Sequence, residues 1–469
     1  MLFGDKMKTN AAVSIGCVAL IEKVDGEFQF FTRLFEGVGG KARNLISSTK
    51  LLIYNRLDEC FSVNQIIHGY SPELFELLKF KKIPSDRTSY RDLSRIGKNH
   101  TFLLENYQQF IKEENLVADK QFMDFSSSYF EGKTAAFGAL GYSRDQQPGK
   151  KQLTFGVSTG INSIPTALTI QNGNVQDKKH FQFMLKTSEA VLEENSLLIF
   201  DTGGNTKENK RQILEKKFHY LTLKAKKVKI YKTAIELFNK GKKEEVVINN
   251  ISYFCVKYKE DAEVNYVFFS EKLKGEQLAH KERKFKRTLE KNKHILKKTK
   301  AGKEIDEFLT EEGTVTTKGI LQTRLDEIKN PYLNGLEGFF ILESDLDIES
   351  ERALALYKDK DKAEKLFRSI KEGTELRPMR HWSRDAIIGY ILVIFLTNFL
   401  INLTLLRAKD PVVKNTKLLK KYLRKLTLVV IYPPTGFKFQ VLANICPEIT
   451  AILGDFIRKY EDKTLPMRW

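Results

Sequence analysis

The feature that most restricts the fold is a change of hydrophobic periodicity at Phe122. Upstream, Tyr90 to Leu116 carries Leu93, Ile96, Phe102, Leu103, Tyr107 and Phe110 at helical spacings. From Phe122 to Phe130 the residues read as a strand, as do Gln152 to Ser158 and Pro165 to Ile170, with turn residues over Gly141 to Lys151. His180 to Leu192 is helical, Ser196 to Phe200 is a short apolar strand ending at Asp201, Thr206 to Lys216 is helical again, and Phe218 to Leu223 is a strand. The order β-β-β-α-β-α-β joins a hairpin meander to crossover units, which requires a mixed sheet with helices on its faces.

That order is the one found in ribonuclease-H-like folds, so the expected class is α/β with a ribonuclease-H-like mixed sheet and flanking helices. The expected organisation has five parts. Residues 1–115 form an N-terminal hairpin plus a helical region suited to binding DNA ends. Residues 116–227 are the first part of the catalytic core, 228–335 a β-rich and basic insertion, 336–410 the second part of the core, and 411–469 a C-terminal basic helical region. Within the first part, Ala11 to Ile21 reads as a strand, Asp25-Gly26 as its turn and Glu27 to Arg33 as the returning strand. Ser71-Pro72-Glu73-Leu74 reads as a helix start, with proline in the first turn and an acid near the positive end of the dipole. Val228 to Phe269 alternates as β structure.

Charge narrows the partner. Lysine and arginine total 78 against 59 acids, a net charge of +19, which favours a polyanion. Lys281 to Lys303 holds eleven basic residues against Glu282 and Glu290, and Lys414 to Lys425 is a second basic helix with Leu418, Leu419, Tyr422 and Leu426 on its other side. The four cysteines (Cys17, Cys60, Cys255, Cys446) form no Cys-x-x-Cys pair and the seven histidines are scattered. A thiol or imidazole zinc site is thereby excluded, and the cysteine usage fits a reducing cytoplasm. Any metal would be a hard one held by oxygen. Gly37-Val38-Gly39-Gly40-Lys41-Ala42 lacks the spacing and the hydroxyl of a phosphate-binding loop.

Ala386 to Leu406 is 21 residues without a charge, long enough to span a bilayer. Asn398 and Asn402 share a face one turn apart, and Arg384 and Arg407 flank the run symmetrically. A helix buried at the centre of a domain accounts for these features better than a membrane span.

Position selects the chemically interesting acids. Asp124 interrupts a strand, where acids are disfavoured. Asp201 closes an apolar strand at its C-terminal end, where ligands of open α/β sheets collect. Tyr357, Lys360, Glu364, Arg368 and Lys371 recur at +3, +4, +4 and +3. On one continuous helix, at about 100° per residue, they would share an arc of about 80°. Ala363, Leu366, Phe367 and Ile370 would form the adjacent apolar stripe.

Together these residues resemble the DDE triad and the Tyr-x2-Arg-x3-Glu-x6-Lys signature of insertion-sequence transposases of the insertion-sequence-four type. Gly141-Tyr142-Ser143-Arg144-Asp145 with Pro148, Gly173-Asn174-x2-Asp177, and Leu376-Arg377-Pro378 before the apolar helix are similar to other stretches of that family. Lys360 stands where the family usually has arginine, Asn334-Gly335 replaces a common Asp-Gly, and Asp201-Thr202-Gly203-Gly204 is a loose match to Asp-x-Gly. The resemblance implies a magnesium-dependent enzyme with Asp124, Asp201 and Glu364 as catalytic metal ligands for two Mg2+ ions, Mn2+ substituting. It implies Tyr357, Lys360, Arg368 and Lys371 as DNA contacts. The implied partners are double-stranded DNA, as transposon ends and target, and a second copy of the chain in a synaptic complex, with no membrane and a place on the nucleoid in the cytoplasm. A nuclease of the same fold without strand transfer, and an inactive DNA-binding derivative of an element, are the alternatives.

Overall fold

The computed structural model describes residues 10–39, 42–132, 134–291, 307–310, 313–316, 330–408, 412–432 and 439–460. The chain forms two compact units: Met1–Ile199, Thr206–Phe218 and Asp359–Trp469 in the first, and Phe200–Asn205 with His219–Lys358 in the second. The strands are β1 (Ala11–Ser14), β2 (Lys120–Tyr129), β3 (Gln152–Gly160), β4 (Pro165–Asn172), β5 (Leu197–Phe200), β6 (His219–Leu223), β7 (Glu244–Ile248), β8 (Ile251–Glu260), β9 (Glu263–Phe269), β10 (Glu307–Thr310), β11 (Gly313–Thr316), β12 (Phe339–Ser344), β13 (Thr427–Ile431) and β14 (Phe439–Ala443). The class is mixed α/β. The order β-β-β-α-β-α-β is present from β2 to β6, with α8 (Asp177–Ser188) and α9 (Lys207–Glu215) as its helices.

The first unit begins differently from the expectation. Only Ala11–Ser14 is a strand; the rest of the supposed hairpin is helix α1 (Gly16–Phe28), followed by α2 (Phe30–Leu34). Cys17, Val18, Ala19, Leu20, Ile21 and Val24 are all buried, and a short run that is apolar all round gives no period by which helix and strand can be told apart. Asp25 lies inside the helix, where its carboxylate accepts from the Phe31 N–H at 3.0 Å and from Lys50 at 2.6 Å. β1 pairs instead with β13, which pairs with β14, both antiparallel.

Helices α3 (Ala42–Leu57), α4 (Val63–Gly69), α5 (Pro72–Leu77), α6 (Asp86–Lys98) and α7 (His100–Glu113) follow. α5 starts where the Ser-Pro-Glu pattern places it, although the Ser71 side chain makes no capping bond. The apolar helix, Arg384–Ala408, crosses α6 at closest approach through two glycines. A Cβ on Gly97 would overlap the Asp385 carbonyl, and one on Gly389 would overlap that of Leu93. Tyr107 of α7 meets Phe395 and Phe399 edge-on, each at 5.2 Å, and its hydroxyl donates to the Pro165 carbonyl at 2.5 Å.

Among the described residues the Arg384–Ala408 helix is long and apolar enough to cross a membrane, and 89% of its most apolar 18-residue window is buried within the protein. Its polar residues are satisfied internally, as burial demands. Asn398 accepts from the Ser369 hydroxyl at 2.6 Å and donates to Thr374 and to the Ile394 carbonyl, while Asn402 donates to the Asn398 carbonyl.

The main sheet of the first unit has the order β4-β3-β2-β5. β2 and β3 are antiparallel, with Asp124 opposite Val157 and Ser126 opposite Phe155. β3 and β4 are antiparallel too. One face is covered by α8, where Phe125 lies 4.7 Å from His180. Gly156 permits this packing, since a Cβ there would stand 2.7 Å from the Phe125 ring and 2.8 Å from Met184.

The second unit carries five strands in the order β6-β12-β9-β8-β7, all neighbours antiparallel. Val228 to Lys240, expected to be β structure, is helix α10 (Val228–Lys240). Tyr231, Ala234 and Phe238, at helical spacing, bury against Val256, Val267 and Ile341; the β-branched residues around them disguise the period. β7 and β8 turn on Asn249 and Asn250, both at positive φ (51° and 60°), as a two-residue hairpin requires. α11 (Glu271–Lys291) carries the start of the basic segment; residues 292–303 of that segment lie outside the described residues.

Candidate active site

Asp124 is the fifth residue of β2 and half-buried. Side chains alternate along a strand, so Phe125 points toward α8 while Asp124 shares the other face with Ser126. Phe155, cross-strand partner of Ser126, packs its ring 5.5 Å from that of Phe367. Phe367 belongs to the helix Asp361–Arg368, which also carries Glu364. The Glu364 helix therefore lies on the sheet face that bears Asp124, and it packs against β2. The Asp124 carboxylate accepts from the Phe125 N–H at 2.9 Å.

Asp201 is the residue after β5, and β5 is the sheet neighbour of β2. It opens a turn in which the Gly204 N–H donates to the Asp201 carbonyl at 3.0 Å and the Asn205 N–H to that of Thr202 at 3.2 Å. The far end of the turn is held by Asn205, whose amide donates to the Leu223 carbonyl at 3.0 Å and to Glu343 at 2.6 Å. Glu343 is buried and takes Lys224 on its other oxygen at 3.1 Å; Lys224 also reaches Asn265 at 2.9 Å. At the near end the Tyr357 hydroxyl donates to Asp201 Oδ1 at 2.9 Å. The sequence reading named neither Asn205 nor Glu343. The signal for Glu343 was present: an acid inside the apolar run Phe339 to Leu342, the same anomaly that singled out Asp124.

The signature residues do not share one helix, and that expectation is corrected. Tyr357 is on the last turn of the helix Ser350–Lys358, Asp359 and Lys360 form a turn, and Glu364 and Arg368 follow on the next helix. Lys371 sits in a π-helical turn, Ser369–Gly373. The break falls at Asp359, whose carbonyl accepts from the Lys362 N–H at 2.9 Å; aspartate competes with helix interiors and favours starts and turns. A face computed at a constant angle has no meaning across such a break, and the wider π turn shifts Lys371 further. Lys360 is buried, and its carbonyl accepts from the Ala363 and Glu364 N–H groups. Glu364 and Arg368 are exposed and four residues apart, hence on one face.

Lys371 donates to Asp145 at 2.8 Å, and Arg377 donates to the same oxygen at 2.8 Å. The Asp145 side chain is only 2% exposed. Burial holds the Lys371 ammonium below the ordinary lysine value, with Asp145 opposing that shift. Arg144, next in the chain, pairs with Asp177 at 2.5 Å. Three stretches noted for family likeness, around Asp145, Asp177 and Arg377, are thus joined by ion pairs. On the C-terminal basic helix (Thr416–Lys425), Lys414, Lys417, Lys421 and Lys425 are exposed in a helical row, whereas Lys420 is buried and donates to the Arg56 and Gly373 carbonyls, each at 2.8 Å.

Three carboxylates make a donor set chemically suited to a hard divalent cation. Among the described residues, no group of three or more His, Cys, Asp or Glu side chains lies close enough together to hold a metal ion. Asp124 and Asp201 are half-buried and Glu364 is exposed.

No family model and no curated protein matches the chain. Among solved structures, a cryo-EM structure of the piggyBac transposase synaptic complex with hairpin DNA aligns over 98% of this chain and 86% of that one, at 10% identity and a TM-score of 0.39.

Proposed function

We propose that the chain is a DNA transposase with a ribonuclease-H-like core, cutting at the terminal inverted repeats of an insertion sequence and joining the 3′-OH ends to target DNA. The observation that carries this reading is the distribution of acids about the first sheet. Asp124 is within β2, Asp201 is one residue beyond the neighbouring β5, and Glu364 is on the helix laid over the face that bears Asp124. The strand order β4-β3-β2-β5, a meander joined to a crossover strand, supports the fold assignment.

Asp124, Asp201 and Glu364 are the residues proposed to hold two Mg2+ ions, or Mn2+ in their place. Such ions, when bound, activate the attacking oxygen and stabilise the leaving one in an in-line displacement. The chain's own cations do the holding of DNA. Arg368 shares a helix face with Glu364 and offers a planar fork to a phosphate near the cut. The row Lys414, Lys417, Lys421 and Lys425 offers point charges to the backbone farther away. Joining two ends to one target calls for two copies of the chain in a synaptic dimer, working on nucleoid DNA in the cytoplasm.

The test uses the purified chain, a duplex carrying the inverted repeats that flank its coding region, and Mg2+ or Mn2+. The expected result is a cut that leaves a 3′-OH, followed by transfer of that end to a plasmid. Asp124→Ala, Asp201→Ala and Glu364→Ala should each abolish the cut and keep duplex binding. Retained cutting refutes the assignment of that residue. Cutting without joining identifies a nuclease, and binding by the wild type without any cut identifies a DNA-binding derivative.

A further inference from the structure

We infer that Tyr357 is a positioning residue for Asp201 and not a contact to DNA; the inference rests on the reading of Asp201 as a metal-holding carboxylate. The hydroxyl of Tyr357 donates to Asp201 Oδ1 at 2.9 Å. A phenol has one proton to give, so a tyrosine that orients Asp201 cannot at the same time donate to a phosphate oxygen. The ring is not free to wander between the two. Its helix, Ser350–Lys358, is anchored by Ala353, Leu354 and Leu356, all buried.

The rest of the turn is built to the same end. Asn205 is fastened to the Leu223 carbonyl and to Glu343, and Glu343 is charge-balanced by Lys224. The five residues from Asp201 to Asn205 are thus stapled at both ends, by a phenol at the first and a buried carboxylate at the last. What is left undetermined by the backbone is the rotation of the Asp201 carboxylate about its own side-chain bonds, and the Tyr357 hydrogen bond fixes that rotation. Hydrogen bonds to ligating carboxylates raise metal affinity, and their loss typically costs about 10–100-fold.

The experiment compares the full-length wild type with Tyr357→Phe, which keeps the ring and removes only the proton, and with Asn205→Ala, which loosens the other end. Two quantities are read: the Mn2+ concentration at half-maximal thermal stabilisation, and the affinity for duplex DNA in EDTA. For Tyr357→Phe the Mn2+ midpoint should rise at least tenfold while duplex affinity in EDTA stays within twofold. Asn205→Ala should move the same midpoint in the same direction, with circular dichroism confirming that it folds. A tenfold loss of duplex affinity with an unmoved midpoint would put Tyr357 at the DNA and overturn the inference; so would a Tyr357→Phe protein unchanged in both. Asp201→Ala is the control that separates this failure from the larger one. If its midpoint equals that of the wild type, Asp201 holds no metal and the reading beneath the inference falls with it.

Discussion

Replacing Asp145 with alanine should be among the most damaging single changes in the first unit, and the size of the effect follows from what surrounds it. Its carboxylate is 2% exposed and is shared by Lys371, 12% exposed, and Arg377, 31% exposed. Arg377 has a second acid, Glu372, at 2.7 Å, so it keeps a partner when Asp145 is lost. Lys371 has no second acid among its described ion pairs and is left as a buried ammonium. Breaking one side of a buried pair costs about 3–5 kcal/mol. The upper limit is set by the alternative open to the lysine, which is to lose its proton. From an ordinary value of about 10.4, that costs about 5 kcal/mol at pH 7. Urea unfolding followed by circular dichroism should therefore show a loss of about 3–5 kcal/mol at pH 7. The loss should shrink as pH rises toward 10, because the folded lysine then sheds its proton more readily than the unfolded one. Asp145→Ala combined with Lys371→Met should recover most of the loss. A single variant costing under about 1 kcal/mol, the range of an exposed pair, or a double variant no more stable than the single, would refute the reasoning.

Other consequences are open to direct measurement. Gly97→Ala should destabilise the first unit by about 1–3 kcal/mol or more, as overpacking does, because the added methyl meets the Asp385 carbonyl; an unchanged melting temperature would contradict the crossing described. His180 is fully buried, and burial pushes its pKa down to about 4. Between that value and about 6.5 the folded protein binds fewer protons than the unfolded chain, so stability present above pH 6.5 should fall by about 3 kcal/mol as pH drops to 4. In urea titrations across that range, His180→Gln should lack this component of the slope. Arg368→Ala should weaken duplex binding uniformly across sequences and reduce the salt dependence by about one counterion; an unchanged salt slope would remove Arg368 from the interface.

Most of the first sheet was legible because its strands differ from their surroundings in period, and because Asp201 marks the end of β5 by ending an apolar run. The first helix was not legible. Gly16 to Val24 is buried on every side, and a sequence without a polar face carries no angle to measure. α10 was hidden for a related reason: Val228, Ile230 and Ile235 suggest a strand by propensity, while the residues that set the packing, Tyr231, Ala234 and Phe238, follow the helical spacing. The signature stretch misled in the opposite way. Its residues fit a helical face too well, and only the main-chain turn at Asp359 and Lys360 shows that no single helix carries them. Asp145 was noted in the sequence as part of a stretch, but nothing in one dimension shows that it is the counter-ion of Lys371, 226 residues away. The Asn205–Glu343 contact was invisible for the same reason, being 138 residues long in the chain.

The pairing of β1 with β13 has a consequence for synthesis. Ala11 to Ser14 find their strand partner only at Thr427 to Val430, and the Lys23 side chain caps the Ile452 carbonyl. A chain leaving the ribosome exposes its greasy first helix early and must wait for nearly its whole length to emerge before that helix is covered. Transcripts broken before the last sixty or so codons, as judged from where β13 begins and a rate of about 5–20 residues per second, would yield products that cannot close and are open to proteolysis. Full-length protein would be the only durable product of such a message.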